Sequence, residues 1–168
     1  MMILTKNVIL DEIKNKTLKI TPFNTNQVGP GSIDLTLDRQ FRVFKRGLKK
    51  VTVTERTDYK KYTDKLITDK LTLQPGEIIL GITKEKIELP EDLCGWLQGR
   101  TRFARMGLTV HITASFVQPG SKNKQVLEII NTNDFPLEIK AGTRIVQIIL
   151  QRTEGKARLS GKWVNQKL

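Results

Sequence analysis

A chain of 168 residues with 38% hydrophobic and 27% charged side chains fits one globular domain with a sizeable core. Its net charge of +12 raises nucleic acid as a partner, but the lysines are scattered, aromatics make up 6% and no nucleic-acid module is present, so a basic surface or an anionic small substrate is the expected reading. A single cysteine, Cys94, excludes an intrachain disulfide, and no apolar run is long enough to span a bilayer; with Lys6, Asp11 and Glu12 interrupting any leader, a cytoplasmic protein without nucleic-acid or membrane partners is expected.

Residues 3–16 place Val8, Ile9 and Ile13 at helical spacing, which predicts a short amphipathic helix. Residues 18–22 predict a short strand, and 24–31, with Asn, Gly and Pro, a loop. Residues 31–37 (Gly-Ser-Ile-Asp-Leu-Thr-Leu) alternate with period two and predict a strand, and 41–44 predict another. Residues 45–70 are polar and lysine-rich, with 51–54 the one strand-like piece, and read as a long surface excursion. Strands then follow closely, at 71–73, 78–83, 86–88, 94–98, 109–116, 125–131, 137–139 and 145–152. Turn signals separate them at Gln74-Pro75-Gly76, Leu89-Pro90-Glu91, Pro119-Gly120 and Lys140-Ala141-Gly142. Many short strands with regular turns predict a sandwich or barrel.

Residues 99–131, GRTRFARMGLTVHITASFVQPGSKNKQVLEIIN, carry the chemistry. Thr101 is placed to cap a short helix, and Gly107 to end it in a left-handed conformation. The helix N-terminus, backed by Arg100 and Arg102, suggests a phosphate site. Thr101 and Arg105 share a helix face. In the strand that follows, Val126, Glu128 and Ile130 point the same way, so Glu128 sits among apolar neighbours and needs a partner, for which Arg105 is the natural candidate.

This stretch resembles the dCTP deaminase branch of the dUTPase-like nucleotide enzymes. The pattern G-R-S-S/R-x-A-R-x-G-L-x-V-H-x-T-A, then I-D-P-G and an L-E strand, is matched without a gap from Gly99 to Glu128. Residues 31–37 resemble the G-x-x-x-D-L-x-L motif, 144–149 the R-I-x-Q-L segment and 161–166 the C-terminal G-K-Y-x-x-Q segment. The resemblance implies one all-β domain over 1–168: a distorted β-barrel or jelly roll of the dUTPase-like type, with a short N-terminal helix and one short helix at the active site. It further implies a lid at 153–168 and a homotrimer with active sites between subunits.

The implied activity is hydrolytic deamination of dCTP to dUTP and ammonia, with Mg²⁺ bound only through the triphosphate. Most nucleobase deaminases use zinc held by His and Cys. One His, one Cys, no C-x-x-C and no H-x-E leave no such ligand set here. By the resemblance Glu128 is the general base, Arg105 tunes its charge, Thr101 orients the water in place of the usual serine, and the Ala114 backbone completes the water's hydrogen bonds. Substrate contacts fall to Arg100, Thr101, Arg102, Arg105, Gln118, Val126, Leu127, Glu128, Gln147, Lys162 and Gln166. His111 and Asp34 support the site from behind. For Gln147, a phosphate contact and a plain strand residue at a trimer contact both stand.

Three departures from the pattern matter. Gln118 replaces an aspartate that in dUTPases activates the water attacking the triphosphate, and an amide cannot act as that base. Residues 121–124 lack the F-x-G pattern, and in the lid, where Trp163 keeps the usual aromatic ring, the family's additional tyrosine before 161–166 has no counterpart. The alternatives are therefore a dUTP diphosphatase or bifunctional enzyme, and a degenerate nucleotide-binding trimer.

Overall fold

Helix α1 (Lys6–Lys14) forms where the apolar spacing predicts it and docks through the fully buried Ile9, while Val8 on its flank stays exposed. The computed structural model describes residues 2–161 and 168. After α1 come strands β1 (Lys19–Thr21), β2 (Ile33–Phe44), β3 (Thr63–Ile67), β4 (Lys70–Leu73), β5 (Ile78–Glu88) and β6 (Leu93–Gly99). A single turn of helix, α2 (Thr101–Ala104), leads into β7 (Leu108–Val110), β8 (Phe116–Val117), β9 (Lys122–Asn131), β10 (Leu137–Lys140) and β11 (Arg144–Arg152).

The strands pair in the order β7-β9-β5-β2-β11-β6-β8, with β1 added on β5 and β3 on β2, and this nine-stranded sheet curls into a half-barrel. Strands β4 and β10 form a separate antiparallel pair. The protein is mainly β, as the spacing of strands and turns predicts.

Alternation along the strands builds the core. On β2, Ile33, Leu35 and Leu37 point inward and are essentially unexposed, and Leu127 and Ile129 do the same on β9. Each such side chain contributes about 1.5–3 kcal/mol on burial. Strand β5 is the hub, pairing with β1, β2 and β9. Gly81 on β5 keeps this junction close, since a Cβ there would lie 2.9 Å from Leu37 Cδ1 and 3.0 Å from Ile129 Cδ1.

Several elements differ from the sequence reading. The expected strand at 31–37 begins only at Ile33 and runs on through 41–44 as one strand, β2, whose register against β5 shifts between Leu37 and Phe41. Strand β5 likewise joins 78–83 to 86–88, with a register shift against β9. Strand β3 lies inside the expected excursion; only its Thr63 is buried, so no apolar alternation announces it. Residues 51–54 form no strand, because nothing pairs with them. The expected strand 109–116 breaks at His111, whose φ of 59° turns the chain between β7 and β8.

Candidate active site

The start of the motif is fixed by long-range contacts. Arg100 is extended (φ −90°, ψ 136°) and is itself the N-cap of α2; Thr101 is the first helical residue, and no side chain caps the turn. This corrects the expected capping role of Thr101. Its physical reason is the tether on Arg100. The guanidinium meets Asp34 Oδ2 on β2 at 2.9 Å and donates to the Arg144 carbonyl on β11 at 2.6 Å. Gln147 stands beside Asp34 in the β2–β11 register. Its side chain accepts from Ser32 Oγ at 2.8 Å and reaches the Gly99 carbonyl at 3.5 Å. Asp34, Arg100 and Gln147 thus hold the end of β6 from which α2 projects. Gly107, at φ 66°, ends the turn as expected.

The side chains of Thr101, Arg102 and Arg105 are exposed, and the two arginines make no ion pair among the described residues. Arg105 is therefore not the partner of Glu128 within one chain, which corrects that expectation. Glu128 lies on the half-exposed face of β9 with Val126 and Ile130, while Leu127 and Ile129 fill the core. That face is the more exposed side of the strand. The side chain of Leu127 is wholly buried, so any contact it makes with a ligand is through its main chain.

Glu128 and Val126 line a cavity of about 410 Å³ together with His111, Ala114, Phe116 and Gln118. The turn at His111 shapes its inner wall. The His111 N–H donates to the Glu128 carbonyl at 2.7 Å, and the Ile112 N–H to Glu128 Oε2 at 3.3 Å. His111 is buried, and its Nδ1 lies 3.4 Å from the same Oε2. Its Nε2 is 2.8 Å from the Ala114 carbonyl. A carbonyl has a second lone pair, so Ala114 still has room to accept from a water. Gln118 is exposed at the cavity edge, and its own carbonyl accepts from Ser121 N and Oγ.

A wider cleft of about 520 Å³ opens beside the end of α1, with Lys16, Lys19, Lys122, Lys156 and Arg158 facing Glu88, Glu91 and Asp92. Of residues 99–131 only Gly120 and Lys122 line it, and none of the candidate site residues does; Glu128 lines the smaller cavity. Of the tail, Ala157 N donates to the Glu91 carbonyl and Leu159 N to the Pro119 carbonyl, each at 2.9 Å, and Leu159 lines the cavity that holds Glu128. Leu168 packs with Leu80 and Ile82 against Val126. Lys162 and Gln166 lie outside the described residues.

One chain therefore brings together Glu128, His111, Ala114, Gln118 and Val126, and separately Asp34, Arg100 and Gln147. Thr101, Arg102 and Arg105 do not line the cavity. Sequence reasoning missed two pairings, Arg100 with Asp34 and Glu128 with His111. In each case the two residues lie far apart in the chain, and the motif spacing alone does not show that they meet.

This curled antiparallel sheet is the fold of the dUTPase-like proteins. It superposes on a 2′-deoxycytidine 5′-triphosphate deaminase from Agrobacterium tumefaciens with a TM-score of 0.71, covering 90% of this chain and 48% of that one at 19% identity. It also superposes on the dUTPase of Staphylococcus bacteriophage 80alpha with a TM-score of 0.53, covering 87% and 97% at 14% identity. Sequence similarity is more specific than the fold. The dCTP deaminase-like family model matches residues 3–153. Relatives named dCTP deaminase, dUMP-forming, from Nanoarchaeum equitans, Streptomyces coelicolor and Mycolicibacterium smegmatis are 33%, 35% and 37% identical. The matches cover 90%, 93% and 93% of this chain and 84%, 83% and 84% of theirs. The chain belongs to the dCTP deaminase-like family.

Proposed function

We propose that the protein is an enzyme that deaminates dCTP hydrolytically, with Glu128 as the base. The observation that carries this is the placement of the Glu128 carboxylate on the wall of a cavity, with Oε2 held by the Ile112 N–H. A carboxylate so fixed relays the two protons of the water as its oxygen attacks C4 of cytosine, one ending on the ring N3 and one on the departing amino group. The Ala114 carbonyl and the Thr101 hydroxyl orient that water. Arg102 and Arg105, exposed and free of ion pairs among the described residues, meet the triphosphate together with Lys162. Gln166 and the main chain at Val126 and Leu127 meet the base. Mg²⁺ enters as part of the substrate, on the triphosphate. In a chain with one His and one Cys, the carboxylate does the work that zinc does in other nucleobase deaminases.

Thr101 and Arg105 do not line the cavity that holds Glu128. This supports a site completed by a second copy, in a homotrimer. No helix among the described residues is long and apolar enough to cross a membrane, and a cytoplasmic enzyme of nucleotide metabolism is the reading we adopt.

The product is the finer question. Gln118 can donate to or accept from a deoxyribose hydroxyl, but it cannot take the proton of a water attacking phosphorus. On that ground dUTP is released. The second reading, a bifunctional enzyme ending in dUMP, draws support from the names of the relatives. Incubation with dCTP and, separately, dUTP in Mg²⁺, with dUTP, dUMP and pyrophosphate resolved, decides between them. Accumulated dUTP fits our reading; pyrophosphate from dCTP selects the bifunctional one, and pyrophosphate from dUTP with dCTP unchanged selects a dUTP diphosphatase. Turnover of neither leaves a nucleotide-binding trimer and ends the deaminase assignment. In the Glu128→Gln variant dCTP should still bind while turnover disappears, and near-normal turnover there would remove Glu128 from the role of base.

A further inference from the structure

His111 is bound to Glu128 more closely than support from behind requires. Its N–H donates to the Glu128 carbonyl at 2.7 Å, and its φ of 59°, unfavourable for a residue with a side chain, aims the ring at the Glu128 carboxylate. The ring's Nε2–H donates to the Ala114 carbonyl at 2.8 Å, since a carbonyl only accepts. In neutral imidazole the other nitrogen then carries a lone pair. That nitrogen, Nδ1, is buried with no hydrogen-bond partner among the described residues and lies 3.4 Å from Glu128 Oε2. A bare lone pair facing an ionised carboxylate is repulsive. One proton, on either atom, turns the contact into an attraction.

We infer that His111 and Glu128 act as a one-proton pair across Nδ1 and Oε2, and that the proton held at rest is the one that activates the cytosine ring. This rests on the deaminase reading. The steps balance as follows. The pair gives its proton to N3 and is left with none. Glu128 takes a proton from water as the C4–O bond forms, which restores one proton to the pair. That proton passes to the amino nitrogen, the C4–N bond breaks with its electron pair leaving on ammonia, and the hydroxyl proton at C4 returns to the pair as the carbonyl forms. Water and dCTP become dUTP and ammonia, and the pair ends as it began. A lone carboxylate, ionised to accept from water, has no proton to give N3 first; the pair supplies it. His111 acts through Glu128 and is a positioning residue.

The surrounding charges leave the pair to itself. Within the described lining of the cavity, His111 and Glu128 are the two ionisable side chains. On β9, Lys124 is held by Asp38 at 2.7 Å. On β5, Lys86 is held by Glu88, Glu85 is bound by Gln27 and the Thr36 N–H, and Lys84 acts on Asp38. Arg102 and Arg105, on the helical turn packed against β7, and Lys122 at the start of β9 are exposed. Cys94 on β6 is buried.

The chain has one histidine, so ¹⁵N-histidine labelling reports His111 alone. The expected spectrum has Nε2 protonated and an Nδ1 signal that moves clearly when Glu128→Gln is made at the same pH. Kinetically, His111→Gln keeps a donor for the Ala114 carbonyl but has no second titrating nitrogen. It should lose about 10²-fold in kcat, the usual scale of a proton-transfer group, with KM little changed and one limb of the kcat–pH profile gone. An Nδ1 signal indifferent to Glu128→Gln overturns the pair, as does a His111→Gln variant with wild-type kcat and both limbs. The spectrum serves even if His111→Gln does not fold. Absence of dCTP turnover in the wild type strikes the deaminase reading instead, and the spectrum still tests the pair.

Discussion

Replacing Arg100 by alanine tests what the first arginine of the motif does. The change removes a 2.9 Å contact to Asp34 and a 2.6 Å hydrogen bond to the Arg144 carbonyl. The Asp34 side chain, 18% exposed, is left largely buried without its cation. A hydrogen bond to a charged group contributes about 1.5–3 kcal/mol, and stranding the other charge adds to the loss. Partial exposure of both groups trims this, so we expect a loss of about 2–3 kcal/mol. For a domain of this size that lowers Tm by roughly 5–10 °C. Asp34→Asn spares the bond to Arg144 and should cost about 1–2 kcal/mol. Because the residues touch, the double variant should be little worse than Arg100→Ala alone. The assay is thermal unfolding of the four proteins with KM for dCTP alongside. If Arg100→Ala keeps its Tm but loses dCTP affinity while Asp34→Asn changes neither, Arg100 is a phosphate ligand and the tether is incidental.

Other outcomes follow from single features. Gly107→Ala should cost about 1–2 kcal/mol from its positive φ alone, and more because the Asn133 amide occupies the space of a Cβ; denaturant unfolding reads it. Burial pushes the Asp38 carboxyl up, but the Lys124 hydrogen bond, the Arg39 N–H and the charges of Lys124 and Lys84 outweigh it and hold it below the usual range. Its stabilising contribution is therefore complete above the ordinary Asp value of about 3.9 and fades as pH falls below that. The stability gap between wild type and Lys124→Met should close on acidification, and a gap that persists in acid would refute the pairing. Gln118→Asp should gain some pyrophosphate release from dUTP; none at all would place the block in residues 121–124 rather than in the missing carboxylate.

Strands β4, β6, β9, β10 and β11 were legible in the sequence because apolar alternation and glycine turns say the same thing there. The failures have physical causes. Strand β3 pairs through its backbone while its side chains stay in solvent, so its composition is that of a loop. Residues 51–54 have strand-like side chains and nothing to pair with. The run after Gly107 reads as one strand because Val110, His111 and Ile112 all suit a strand, but the bonds from the His111 and Ile112 N–H groups to Glu128 need a turned backbone. The motif gave Glu128 its place in the chain. It did not give its neighbour, since opposite charge suggested Arg105 and the fold supplied His111.

The connection from β2 to β3 leaves and re-enters the sheet at one point, where the Lys45 N–H donates to the Tyr62 carbonyl at 2.9 Å. Within it Val53 is 81% exposed, and none of residues 45–58 lines the cavity that holds Glu128. Once the base of such a loop is tied, doubling its length costs only about 0.6 kcal/mol. Residues 47–56 are thus a graft point: a fluorescent reporter or a second domain spliced there would ride on the half-barrel while its base stays closed, and the protein could be immobilised or tracked through a segment outside the Glu128 cavity.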